Sequence, residues 1–303
     1  MKTFGIALIA CFIGFFSGGF FYEADVMWFE EGFLFGFMGI MACYGLYHLR
    51  TLSLHELFLQ DNPGVGLIRL ALWGAVAWCV FTLTFFGDPS IEGIWYLYYL
   101  VLSVGAIITF GIGGAETFKV RLRVDVYERK NFGAAMFIAA FIFSTGLIWG
   151  GAMWGDLGPD ALEYAGVFEL LESYEEGTWI TPWFFIMGWI ILFLTMKLWF
   201  MREKNISGEI LRRERRFQDG KAAALYCVAC ALPITDSVAG NYYGLYDSFV
   251  SFSVIAFPVL AGEMLRPPAG KLERDPNEGW FYLGTGVVAV LLSPVISTVL
   301  GFR

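Results

Sequence analysis

The residues of this chain best suited to chemistry are carboxylates set inside apolar runs. Asp236 stands in PITDSVAG, after Pro233 and Thr235 and before Ser237, about one turn below the end of a hydrophobic stretch. Asp247 lies a similar distance into the next stretch, across a turn near 240–243. An ionisable group at the centre of a bilayer costs at least about 2.5 kcal/mol, so such residues mark ion or proton paths unless they reach interfacial water. Two carboxylates at one level, with neighbouring hydroxyls, could bind a cation or share a proton through like-charge repulsion. Pro233 would free a backbone carbonyl beside them, as in the broken helices that complete cation sites. The alternative is that both carboxylates reach interfacial water. Glu116 in GIGGAETF and Glu263 in LAGEML are the second pair of candidates, each following small residues that permit close backbone approach. With His48 they would line the inner mouth of a path, or they would pair with Arg and Lys of the adjoining loops. Asp236, Asp247, Glu116 and Glu263 are thus the candidate cation-site residues.

Other chemistries find little support. Cys227-x-x-Cys230 has the spacing of a redox or zinc pair, but no second pair or nearby histidine completes it. Cys11, Cys43, Cys79, Cys227 and Cys230 all fall inside apolar runs, where small packing residues are the ordinary reading. His48 and His55 are the only histidines, which argues against haem or chlorophyll ligation by helix histidines. There is no Walker sequence or G-x-G-x-x-G fingerprint, and no Ser-His-Asp or zinc-protease arrangement. The expectation is a protein without metal or cofactor, and not an enzyme.

The elements that must hold these residues are transmembrane helices. Of 303 residues, 57% are hydrophobic and 16% charged, which departs from soluble averages towards membrane composition. Apolar runs near 3–21, 28–48, 64–86, 93–115, 132–152, 179–201, 220–240, 244–263 and 279–300 predict an all-α polytopic integral membrane bundle of about nine crossings. The first run lacks an A-x-A-like cleavage site ahead of Tyr22, so it reads as a retained helix. With Lys2 inside, the loops after every second crossing and the adjoining helix ends hold 19 of the 20 Lys and Arg residues, Arg303 excepted. That bias puts the N-terminus in the cytoplasm and the C-terminus outside. The opposite face is acidic, and its longest loop carries DALEYAGVFELLESY, whose apolar residues fall at helical spacing as in an amphipathic surface helix. On the basic face, Arg212, Arg213, Arg215 and Arg216 stand close to a membrane boundary and would attract anionic lipid headgroups, at about 1 kcal/mol per residue. Topology and lipid explain this cluster without a nucleic acid. Near the inner ends of their helices, Lys197 and Arg69 would snorkel towards that face.

The crossings recur as hairpins. The organising stretch is 119–155, where KVRLRVDVYERK gives way at Asn131, the expected helix cap, to NFGAAMFIAAFIFSTGLIWGGAMWG. Asn62 before PGVGLIRLAL, Asp219 before GKAAALYC and Asn277 in PNEGWFYLGTG open related segments, the starts lying 69, 88 and 58 residues apart. A hairpin at 1–49 would precede repeats at 63–116, 132–201 and 220–263, with a last helix at 278–303. His48, Glu116 and Glu263 each fall 14 or 15 residues before Asn62, Asn131 and Asn277. Gly146 with Gly150, and Gly151 with Gly155, have the small-xxx-small spacing that favours close helix contacts within the chain or between copies.

These hairpins, with KNFGAAM and QDGKAAAL at their openings, resemble the YjfL-type bacterial inner-membrane proteins over 60–262, most closely at 119–155. The resemblance implies an all-helical fold in a bacterial inner membrane, and brings no catalytic residues with it. Two functions fit the sequence. One is a channel or transporter for a cation, a proton or an organic amine, with an acidic outer vestibule above Asp236 and Asp247. The other is a non-catalytic scaffold or accessory subunit of a homo-oligomer or larger membrane complex. They divide on whether Asp236 and Glu116 face a polar cavity or a dry helix contact.

Overall fold

The computed structural model describes residues 62–87, 94–154, 180–203, 217–239, 245–266 and 275–300, and every element in them is helical. The helices are α1 (Pro63–Phe85), α2 (Ile94–Ala106), α3 (Phe132–Ala152), α4 (Ile180–Arg202), α5 (Phe217–Val238), α6 (Leu245–Leu265) and α7 (Glu278–Leu300). α2 runs on through a π segment, Ile107–Ile112, into a last turn at Gly113–Thr117. Among the described residues, five helices are long and apolar enough to cross a membrane: α1, the stretch Tyr99–Thr117, α3, α4 and α5. α6 and α7 contribute shorter apolar stretches, Phe252–Leu265 and Glu278–Ser293. The hairpin expected at 1–49, with Cys11, Cys43 and His48, the acidic surface helix, Gly155, and Arg212, Arg213, Arg215 and Arg216 lie outside the described residues.

α3 is the hub. It touches α1, α2, α4 and α5, and 83% of its most apolar 18-residue window is buried inside the protein. Its sequence explains this: Gly133, Ala134, Ala135, Ala139, Ala140, Gly146, Gly150 and Gly151 put small residues on several faces, so neighbours approach from all sides. Asn131 caps it, its Oδ1 accepting the Ala134 N–H at 3.1 Å. The other expected caps behave differently. The Asn62 side chain makes no cap to α1 and instead donates to the Val126 carbonyl at 2.7 Å. α5 begins at Phe217, so Asp219 sits buried in its first turn rather than ahead of it.

α1, α3, α5 and α7 lie side by side in one parallel row. Ascending contact pairs establish the direction. A Cβ on Gly64 would stand 2.7 Å from Ala135 Cβ, and one on Gly146 would stand 2.4 Å from Ala75 Cβ. Further along the row, a Cβ on Gly220 would stand 2.4 Å from Gly133 Cα, and one on Gly151 would stand 2.6 Å from the Thr235 carbonyl oxygen. α5 and α7 keep strict register, with Ala222 against Gly279, Ala229 against Gly286 and Asp236 against Ser293, each seven residues further on. α2, α4 and α6 run antiparallel to the row. Trp149 Nε1 donates to Ser103 Oγ at 2.7 Å near one end of α2, while Phe118 packs edge-on against Phe137 near the other.

The described Lys and Arg residues lie at or within about two turns of one end of this bundle. Large apolar side chains cover the flanks, Trp73, Phe81, Trp183, Leu194, Phe281 and Leu291 among them, as lipid-facing surfaces require.

Candidate functional site

The charged end of the bundle carries a buried ionic clamp that joins four helices. Glu203 follows the last residue of α4, Tyr226 lies two turns into α5, Glu263 and Arg266 close α6, and Tyr282 stands in the first turns of α7. Arg266 Nη2 meets Glu203 Oε1 at 2.8 Å, and its Nε meets Glu263 Oε2 at 3.1 Å. The Tyr226 hydroxyl donates to Glu263 Oε2 at 2.5 Å. Arg266 Nη1 reaches the Tyr282 hydroxyl at 3.4 Å, and that hydroxyl donates to Glu278 Oε1 at 2.6 Å. Glu203 and Glu263 are only 5% and 2% exposed, so one guanidinium is shared by two desolvated carboxylates, with the Arg202 charge also near Glu263. Burial works against the Arg266 charge, but hydrogen bonding to Glu203 and the Glu263 charge outweigh it and hold the group above its ordinary value. Arg202 adds a tie from α4 to the Met264 carbonyl of α6.

A second polar contact lies at the opposite end. Asp236, half-buried below the end of α5, accepts a hydrogen bond from the Ser293 hydroxyl of α7. Pro233 lies inside α5 as expected, while Thr235 and Ser237 turn back to the Ala231 and Ile234 carbonyls of their own helix. Asp247 belongs to α6, but its side chain lies outside the described residues, so its pairing with Asp236 is not placed.

Glu263 therefore pairs with an arginine, the alternative that the sequence left open. Glu116 is exposed at the end of α2, where Arg121 supplies the nearby positive charge. No contact among the described residues joins Glu116 to Glu263. Gly146 and Gly150 receive Ala75 and Trp78 of α1, and Gly151 receives α5, so these glycines serve contacts within the chain. Cys227 and Cys230 are free, buried thiols, and Cys227 Sγ lies 3.5 Å from Ser144 Oγ. No group of three potential metal ligands occurs among the described residues.

Sequence reasoning missed the partners. Glu203 and Arg266 fall just outside the apolar runs 179–201 and 244–263 and Tyr282 inside the run 279–300, and only the packing of α4, α6 and α7 on α5 brings them together. Ser293 was recoverable: Ala222, Ala229, Asp236 and Gly279, Gly286, Ser293 are matched series with a period of seven. Arg69 is a correction. It does not snorkel to water but is 6% exposed, because the loop at 118–131 folds over the start of α1. That loop contains a π turn, Leu122–Glu128, and is held by buried Asp125, which accepts the Arg121 N–H at 2.7 Å and pairs with Arg129 at 3.5 Å. Two non-glycine residues, Lys119 and Lys130, take positive φ at its ends, Lys119 just past the last turn of α2. Burial pushes the Tyr127 phenol of this loop above its ordinary value, and Arg69 beside it offsets part of that shift.

Fold and site together define an all-helical protein with multiple apolar helices suited to a membrane. No family model, curated protein or solved structure matches the chain.

Proposed function

We propose that this is a multi-pass protein of a bacterial inner membrane, related to the YjfL-type proteins, that acts as a non-catalytic scaffold or accessory subunit. The observation that carries the reading is the use made of the buried carboxylates. Asp236 is engaged with Ser293 across the α5–α7 contact, and Glu263 and Glu203 are clamped by Arg266 across α4 and α6. These charges join helices, as a rigid docking platform requires. The parallel row also supports the repeat reading, since the segments opened by Asn62, Asn131, Asp219 and Asn277 become its successive members. Its basic end faces the cytoplasm and, with Arg212, Arg213, Arg215 and Arg216, holds anionic headgroups. Extraction from native membranes into polymer nanodiscs tests the scaffold directly. The expected particle is larger than the 34.0 kDa chain and of defined stoichiometry. A single chain under every mild extraction condition would sink the proposal.

The second reading is cation passage by way of an acidic outer vestibule. It is favoured by one placement, the half-buried Asp236 carboxylate beside hydroxyls near the end of a helix that Pro233 interrupts. Neutralising Asp236 separates the two, because a packing carboxylate affects stability and a conducting one affects flux.

A further inference from the structure

Arg69 is a buried charge whose donors are only partly met. Its side chain is 6% exposed, yet Nε and Nη1 are buried without a hydrogen-bond acceptor. The adjoining loop meets only part of this donor set. The Tyr127 side chain hydrogen-bonds the guanidinium, but a phenol brings no negative charge at neutral pH. The nearby buried carboxylate, Asp125, is directed to the Arg121 N–H and to Arg129. A buried guanidinium without a counter-charge costs several kcal/mol, and such an orphan calls for a missing partner.

The surroundings specify that partner's charge. Arg69 lies in the second turn of α1, and side chains on a helix lean towards its N-terminus. Its contact with Tyr127 puts the guanidinium against the loop whose Val126 carbonyl receives Asn62, at the start of α1. No side chain caps that 23-residue helix; Pro63 has no N–H and the Val65 N–H turns back to the Asn62 carbonyl, but no capping side chain meets the positive end of the dipole. The start of α3 lies beside it, with Gly64 against Ala135. Lys119, Arg121, Arg123, Arg129 and Lys130 add positive charge from the same loop, Arg123 and Arg129 being partly offset by Glu128 and Asp125.

We propose that Arg69, Tyr127 and the uncapped start of α1 form a binding site for a phosphate-type oxyanion at the basic end of the bundle. A tetrahedral anion suits it better than a halide, because Nε and Nη1 point along different edges of the guanidinium and need separate oxygens. The phosphate belongs either to an anionic phospholipid headgroup or to a soluble phosphate. The site is independent of whether the protein scaffolds or conducts.

The test follows thermal unfolding of the purified full chain in maltoside detergent by tryptophan fluorescence, titrating phosphatidylglycerol, phosphatidylcholine or inorganic phosphate. Wild type is expected to be stabilised in a saturable way, and Arg69→Gln to lose at least about tenfold in apparent affinity, the worth of one charge-assisted contact. Lys197→Gln, at an exposed position, is expected to keep the wild-type response. Protection by phosphatidylglycerol alone assigns a lipid headgroup, and equal protection by inorganic phosphate assigns a soluble anion. Should Arg69→Gln not fold, Arg69→Lys keeps the charge but loses the planar donors, with the same weakening expected. Unaltered titrations in the Arg69 variants, or a wild type indifferent to all three probes, would overturn the site.

Discussion

At the scale of single residues, the clamp and the caps make the sharpest predictions. Arg266 bonds both Glu203 and Glu263, so Arg266→Met removes the guanidinium that two buried carboxylates share. The expected loss is about 3–5 kcal/mol, read from denaturant unfolding in detergent. Tyr226→Phe removes only the hydroxyl donor to Glu263 and should cost about 1.5–3 kcal/mol. A loss from Arg266→Met no larger than that from Tyr226→Phe would show that the carboxylates are not held by the guanidinium. Asn131→Ala removes a real cap and should cost about 1 kcal/mol. The same change at Asn62 acts differently, by stripping a donor from the Val126 carbonyl, and should loosen the 118–131 loop. Proteolysis of that loop would rise in Asn62→Ala if this assignment holds, and stay at the wild-type rate if it does not.

At the scale of helices, small residues decide which neighbours meet. A Cβ at Gly286 would fall 2.4 Å from the Ala229 carbonyl oxygen, and backbone cannot swing aside as a side chain can. Gly286→Ala should therefore cost about 1–3 kcal/mol by forcing α5 and α7 apart. Gly284→Ala, one turn-fraction away on the same helix, meets nothing within 4 Å and should be neutral or gain about 0.5–1 kcal/mol of helix propensity. Equal melting temperatures for the two variants would refute the α5–α7 register. Helix positions were largely legible in the sequence, because long apolar runs between charged loops leave few alternatives: the run at 132–152 is α3 to the residue. The π segment of α2 was not legible, as IITFGI carries no feature that distinguishes it from ordinary helix. The start of α5 was misjudged because Asp219 resembles a cap, whereas Phe217 stacks on Phe132 of α3 and carries the helix further back. The candidate site was legible as residue types but not as partners. Glu263 stood out as an acid in an apolar run, while Arg266 and Glu203 looked like loop charges.

At the scale of the whole molecule, alternation of direction and segregation of charge act together. Parallel α1, α3, α5 and α7 bring their N-termini to one end, where α2, α4 and α6 also finish, so one face of the bundle collects the basic loops. Cysteines introduced at Lys130 and Asp275 should react with impermeant maleimide from the same side of the membrane, and one at Ala239 from the other. The account's central claim is that the intramembrane carboxylates hold this bundle together and do not conduct. Its most direct test is cation flux in proteoliposomes, using protons, alkali cations and polyamines, with wild type compared with Asp236→Asn. The account predicts no flux above protein-free vesicles for either, together with a lower unfolding temperature for Asp236→Asn as the contact to Ser293 weakens. Saturable, selective flux through wild type that vanishes in an equally stable Asp236→Asn would contradict it.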